Sequence, residues 1–267
     1  MSAFNVMSVA GSDPSGGAGI QADLKAFSAL GVFGMSVVTA LTAQSTRGVS
    51  DVHGVPAAFV TRQLDTLLED ATVHAVKVGM LGTAEVTEAV AGAIDRHRLE
   101  DVVVDPVMVA KSGDRLLEAS ATEALRAVLL PRTGLLTPNL PEAADLLGVE
   151  EATDLTGMYE QAAELLKLGP RAVLLKGGHL DSEDSVDVLA VGGSAPVEFT
   201  KPRVHTRNTH GTGCTLSSSI AALLPQSPST AAAVQGAKDY LTEALHRADD
   251  IDAGGGQGPV HHFHTWW

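Results

Sequence analysis

The chain holds a single cysteine, Cys214, among 267 residues. An intrachain disulfide is therefore excluded, and without a CxxC pair a zinc ribbon lacks its donors. Aromatic residues are scarce as well, with six Phe, two Trp and two Tyr, and 18 basic residues face 32 acidic ones for a formal charge of -14. Neither a basic groove nor an aromatic stacking platform for nucleic acid can be built from that inventory. Any anionic ligand must be held by local devices. HExxH and GxSxG are absent, so zincin and α/β-hydrolase chemistry lack support. The N-terminus shows no basic, apolar and cleavage-site succession of a secretory signal, which with the lone cysteine predicts a cytoplasmic, reducing environment. Residues 26–46 carry no formal charge and are long enough to cross a bilayer. Gly31, Gly34, Gln44 and several Ser and Thr divide that span into a helix end, a glycine turn and a strand, so no membrane contact is expected.

What remains is 45% apolar, ample for a sizeable core in one domain. The runs FNVMSVA, HAVKVGM, DVVVDPV, TGLLTP and RAVLLKG are short and continuous, as in strands covered on both faces. Helical periodicity predicts helices over 18–30, 56–70, 83–98, 120–130, 140–147, 156–168, 213–224 and 229–247. Strand and helix alternating this often imply a three-layer α/β/α fold around a mainly parallel sheet. Two alternating runs around the Gly-Gly pair in 185–201 predict an antiparallel hairpin at an edge.

Ligands of open α/β sheets sit beyond the carboxyl ends of the strands, so the residues following each run carry the functional expectations. The first run leads into GSDPSGGAGIQAD, a glycine-rich turn that is neither a GxGxxG nor a Walker A loop. It reads as a tight strand-to-helix turn or as a place of close ligand approach, with Asp23 either solvated on the helix or in contact with ligand. Asp105, before Pro106 at the end of an apolar strand, suits a metal ion and its waters or a turn cap. Asn139 and Glu142 stand at i and i+3 of a helix start, where N-capping is the reading those two residues favour by themselves. Lys176 closes a strand and points into a cleft or snorkels to the surface. In NTHGTGCTLSSSIAALL, Thr209, Gly211, Thr212, Gly213 and Cys214 open a long apolar helix whose unpaired N–H groups make an anion hole. Cys214 there is either a small packing residue or a thiol with a lowered pKa able to take a proton. His261, His262 and His264 are expected to pack with Trp266 and Trp267 rather than to bind metal. Segment 110–118, with its Ser-Gly and mixed charges, is expected to form a flap over phosphates.

Taken together and in order, GSDPSGGAGIQADLKAFSALG, TALTAQ, VKVGMLG, DPVMVAKSGD, LLTPNLPEA, LLKGGH, NTHGTGCT and GPVHHFHTWW resemble the hydroxymethylpyrimidine and hydroxymethylpyrimidine phosphate kinases of thiamine biosynthesis, within the ribokinase-like superfamily. The resemblance implies transfer of the ATP γ-phosphoryl group to 4-amino-5-hydroxymethyl-2-methylpyrimidine and then to its monophosphate. It further implies that Gln44 reads the aminopyrimidine edge, Asp23 meets polar substituents, Gly11 and Ala18 admit the flat ring, and Met80 and Val107 wall it. Asp105 and Glu142 would hold Mg²⁺, with Asn139, Thr209, Gly211 and Lys176 on the nucleotide and Cys214, Lys176, Gly211 and Gly213 at the transferred group. Sugar kinases of the wider superfamily carry an Asp general base where Cys214 stands, which leaves the base less certain than the family. A homodimer is the assembly common in that superfamily. Two rivals stand beside this reading: a pyridoxine or pyridoxal kinase, and a non-catalytic protein that binds thiamine precursors.

Overall fold

A computed structural model describes residues 3–108 and 119–267. The flap expected over 110–118 lies outside the described residues. One nine-stranded sheet organises the chain: β1 (Asn5–Ser12), β2 (Phe33–Ser45), β3 (Gly48–Gly54), β4 (Ala75–Val78), β5 (Val102–Val104), β6 (Leu135–Leu136), β7 (Ala172–Lys176), β8 (Asp184–Val191) and β9 (Val197–Pro202). Their spatial order is β3-β2-β1-β4-β5-β6-β7-β8-β9. In that order the strands from β2 to β7 pair in parallel, while β3 pairs antiparallel to β2 at one edge and β8 pairs antiparallel to both β7 and β9 at the other. The 185–201 hairpin is thus present, and the β2–β3 hairpin is an antiparallel edge that the apolar runs did not announce. Its strand GVSDVHG is almost wholly exposed, so it carries no buried pattern.

Alternation explains why the central runs are apolar at every position. Met7, Val9, Val76, Val78, Val102, Val104, Val173 and Leu175 face one core, shared with α2 (Ala57–Leu68), α3 (Ala84–His97), α5 (Leu140–Leu147) and α6 (Leu155–Leu166). Val6, Ala75, Val103, Ala172 and Leu174 face a second core, packed under α1 (Gly19–Ala29), α7 (Thr212–Leu223) and α8 (Thr230–His246). Successive side chains of a strand serve opposite layers. The stretch expected as one helix over 120–130 divides into α4 (Ala119–Ala124), a π turn (Leu125–Leu129) and a 3₁₀ turn (Leu130–Arg132), which Pro131 helps to end. Among the described residues no helix is long and apolar enough to cross a membrane.

The chain passes from β1 to β2 on one side and, after β3 and α2, returns to place β4 on the other side of β1. The carboxyl end of β1 is therefore a topological switch point, where open α/β sheets leave a crevice.

Candidate active site

A cavity of about 1340 Å³ lies over those carboxyl ends and extends from Gln44 on β2 to Lys201 on β9 and Leu245 on α8. Gly11, Ala18, Gln44, Met80, Val107, Asp105, Asn139, Glu142, Lys176, Thr209, Gly211, Gly213 and Cys214 all line it. Residues spread along most of the chain thus meet in one volume because they stand at the carboxyl ends of strands or in the segments that follow them.

At its centre, Lys176 Nζ donates to Asp105 Oδ1 at 2.9 Å and stands 3.9 Å from Glu142 Oε2. Burial works against the Lys176 ammonium, yet Asp105 and Glu142 outweigh it and hold its pKa above the ordinary lysine value. Glu142 is pushed up to about 7, first by burial, with Lys176 pulling it down and Asp105 pushing it further up. Asn139 and Glu142 do form a capping box on α5: Glu142 N donates to Asn139 Oδ1, and Asn139 N donates to Glu142 Oε2, both at 2.8 Å. Capping and cleft are compatible, since the carboxylate that closes the helix end also faces the ammonium. Lys176 sits opposite Asp187 in the β7–β8 register. Asp187 accepts from the Gly177 N–H at 3.0 Å and from buried Lys238 at 2.6 Å, fixing the glycine turn after Lys176.

The start of α7 supplies the complementary half. Its N-cap, Gly211, has φ of 75°, and a Cβ there would stand 1.7 Å from the Gly17 carbonyl oxygen, so only glycine fits. Among the described residues no side chain caps this helix end, and Gly213 lies beside the Lys176–Asp105 pair, with a notional Cβ 3.4 Å from Lys176 Nζ. The first N–H groups of a helix have no carbonyl behind them, and the dipole's positive end adds to their pull on an anion. Of the two readings of Cys214, the lowered pKa is the one its surroundings disfavour. Burial pushes its thiol up to about 11 despite nearby Lys77, so at neutral pH it is an S–H and not a thiolate.

Asp23 is the second correction. Its side chain is 0% exposed and does not reach the cavity. Both its oxygens lie 3.0 Å from Lys77 Nζ, and the hydroxyls of Ser8 and Ser218 donate to them as well. The carboxylate joins α1, β1, β4 and α7 beneath the site and is fully used there. Burial disfavours the Lys77 ammonium, but Asp23, with lesser help from Cys214 and Asp105, lifts its pKa above the ordinary value. A lysine inside the apolar run HAVKVGM was the sequence signal for this cluster.

The glycine-rich turn after β1 satisfies itself: Asp13 accepts from Ser15 N, Ser15 Oγ and Ala18 N at 2.7–2.8 Å, as a tight strand-to-helix turn requires. The same carboxylate lies 2.8 Å from His210 Nε2, and that ring nitrogen lies 3.5 Å from Gln44 Nε2. Burial pushes the Asp13 carboxyl up, but hydrogen bonds from His210 and Ser15 more than offset it and hold it below its usual value. Neither Asp13 nor His210 stood out in the sequence, although both belong to its motifs. They are 197 positions apart.

The tail packs in part: His261 and His262 are buried, whereas Trp266 and Trp267 stay 69% and 72% exposed. His261 and Trp267 rings lie 4.8 Å apart, and His262 Nε2 is 3.0 Å from Thr215 Oγ1 at the back of α7, with burial pulling its pKa down to about 3. Among the described residues no group of three His, Cys, Asp or Glu is arranged to hold a metal ion. Mg²⁺ does not need one, since it is commonly held by one or two carboxylates together with substrate phosphates and water. Asp105 and Glu142 fit that pattern.

The sequence matches the family model described as phosphomethylpyrimidine kinase over residues 13–261. It is 52% identical over 267 residues to the hydroxymethylpyrimidine/phosphomethylpyrimidine kinase of Escherichia coli (strain K12), covering 100% of both chains. It is 51% identical over 258 residues to the thiamine biosynthesis bifunctional protein ThiED of Geobacter sulfurreducens, covering 97% of this chain and 52% of that one. Among solved structures, the ADP complex of Bacillus subtilis pyridoxal kinase superposes with a TM-score of 0.90 at 35% identity, over 98% of both chains. A cleft that brings a buried lysine–carboxylate pair to an uncapped helix end, on a sheet with this fold and with these sequence matches, makes the chain a member of the phosphomethylpyrimidine kinase family.

Proposed function

We propose that the chain transfers the γ-phosphoryl group of ATP to the hydroxymethyl oxygen of 4-amino-5-hydroxymethyl-2-methylpyrimidine, and then to the resulting monophosphate, yielding the pyrophosphate used in thiamine biosynthesis. The observation that carries this reading is the position of Gly213 against the Lys176–Asp105 pair, in a cavity whose other end holds Gln44. Phosphoryl transfer asks a protein chiefly for positioning and for charge stabilisation at the transferred group. The N–H groups opening α7 would receive the equatorial oxygens, and Lys176 would lie along the leaving phosphates. Val204, Leu241 and Leu245 give the far end of the cavity an apolar lining suited to a nucleobase. Asp105 and Glu142 would hold Mg²⁺, which neutralises phosphate charge when bound.

Gln44 offers one donor and one acceptor, matching a ring nitrogen beside an amino group. Met80 and Val107 would cover the ring faces. Because the Cys214 thiol stays protonated at neutral pH, we assign it to hydrogen-bond donation toward the phosphoryl oxygens instead of proton removal at the outset. A cytoplasmic location and a homodimer are the accompanying proposals, supported by the lone cysteine and by the resemblance respectively.

The test is ADP release measured with the aminopyrimidine alcohol, its monophosphate and pyridoxal at matched ATP and Mg²⁺. Turnover of both pyrimidines well above pyridoxal is expected. Faster turnover of pyridoxal would make the chain a pyridoxal kinase, and binding without ADP release would make it a sensor.

A further inference from the structure

The glycine-rich stretch before the tail touches both ends of the cleft. Gly256 N donates to Thr46 Oγ1 at 3.1 Å, and Gln257 N donates to the Thr46 carbonyl oxygen at 2.8 Å. Thr46 belongs to the two-residue turn between β2 and β3, two positions on from Gln44. Gly258 N then donates to Asn208 Oδ1 at 3.0 Å, and the Gly258 carbonyl accepts from His210 N at 3.0 Å, with Pro259 and His210 in a parallel bridge. His210 immediately precedes Gly211, the N-cap of α7. Three consecutive residues, 256–258, thus grip the hairpin that carries Gln44 and the loop that opens α7. By contrast, Gln44 Nε2 and His210 Nε2 stand 3.5 Å apart, at the long limit of a hydrogen bond.

Apolar burial does not account for this grip, since Gln257 is exposed and neither glycine has a side chain to pack. What the glycines supply is close approach: a Cβ at 256 would overlap the Thr46 carbonyl oxygen, and one at 258 the Asn208 side-chain oxygen. Beyond them the chain is fastened to the helices behind the cleft. His261 N donates to the Ala244 carbonyl at 3.0 Å, the Tyr240 hydroxyl donates to the His262 carbonyl at 2.7 Å, and His262 Nε2 meets Thr215 Oγ1 on the first turn of α7 at 3.0 Å. Asn208 is held in turn, its Nδ2 donating to Asp249 Oδ1 at 2.7 Å.

We propose that residues 256–258 are a positioning strap: through Thr46 they hold the Gln44 hairpin at a fixed separation from the N–H groups that open α7. The inference rests on the function proposed above, with the alcohol at the Gln44 end and the transferred group at the α7 end. In-line transfer needs reacting atoms about 3–3.5 Å apart, and a misplacement of about 1 Å can cost roughly 100-fold. The hairpin cannot impose that precision by its own packing, because β3 is an edge strand that is almost wholly exposed. Anchored on α7 and α8, the strap supplies it.

The experiment compares wild type, Gly255→Ala and Gly256→Ala by kcat, by KM for the pyrimidine and for ATP, and by Tm. The two changes are chemically identical and adjacent, but a Cβ at 255 meets only the flexible end of Arg47, with Nη2 at 3.0 Å, whereas one at 256 drives the strap off Thr46. Gly256→Ala should lower kcat at least roughly tenfold with both KM values within about threefold, the pattern of an interaction realised in the transition state, and Gly255→Ala should behave as wild type. If Gly256→Ala melts early, Thr46→Val and Thr46→Ser carry the test. Valine removes only the oxygen that accepts from Gly256 N and should lower kcat several-fold, while serine keeps that oxygen and the rate. Unchanged kcat in Gly256→Ala, whatever its Tm, makes the segment packing and overturns the strap, as does equal loss in the two alanine variants or equal rates in the two Thr46 variants. Wild-type protein that prefers pyridoxal overturns the substrate reading alone, and the same variants then test the strap on pyridoxal. Wild-type protein that turns over no alcohol overturns both.

Discussion

Replacing Asp23 with alanine strands an ammonium ion inside the protein. Lys77 and Asp23 are both 0% exposed, and the lysine contacts both carboxylate oxygens at 3.0 Å. Breaking a buried pair by removing one partner costs about 3–5 kcal/mol. For a chain of this size each kcal/mol lowers Tm by roughly 2–4 °C, so Asp23→Ala should melt about 6–20 °C below wild type. The double variant Asp23→Leu with Lys77→Met should recover most of that loss, since apolar replacement of a whole buried pair is often neutral or better. Ser218 also loses its acceptor, which removes the hydrogen bond from α7 to α1, so kcat should fall in Asp23→Ala more than KM for the pyrimidine rises. Thermal denaturation followed by circular dichroism, with steady-state kinetics on the same preparations, reads both effects. An Asp23→Ala protein that melts within about 1 °C of wild type and shows only a raised pyrimidine KM would refute this reasoning and return Asp23 to the substrate surface.

Glu142 gives a pH prediction. Its carboxyl is raised to about 7 in the folded chain, so between about 4.5 and 7 the native state keeps a proton that the unfolded state has released, and stability falls as pH rises through that window. Glu142→Gln, which can still close the capping box, should flatten the dependence of Tm on pH there; an unchanged slope would show that Glu142 does not titrate in that range. Gly211→Ala forces a Cβ against the Gly17 carbonyl in a left-handed backbone conformation, and ADP release should fall at least about 100-fold, whereas near-normal turnover would mean that the loop is not fixed as described. Cys214→Ser keeps a donor and should retain activity within roughly tenfold, while Cys214→Ala loses kcat further; equal loss in both would point to thiolate chemistry. Iodoacetamide labelling of Cys214 at pH 7.5 should be slow and should accelerate toward pH 11, and fast labelling at neutral pH would contradict a thiol held protonated.

The layered fold was legible because continuous apolar runs such as DVVVDPV and RAVLLKG occur where a strand serves two cores, and that demand is local to each run. The exposed β3 was harder, since it buries almost nothing, whereas the two-residue β6 still lay inside the apolar run TGLLTP. Glycine at 211 and the polar residues after each strand marked the cleft, because a carboxyl-end position follows from topology alone. By itself the sequence thus determined the architecture, the family and which segments meet at the cleft. Only the tertiary structure decided what Asp23, Cys214, Asp13 and His210 do there. A carboxylate's role depends on which charge it meets, and Lys77 lies 54 positions from Asp23, Ser218 195. A thiol's pKa depends on how much water the packed elements exclude, and no stretch of residues around Cys214 specifies that.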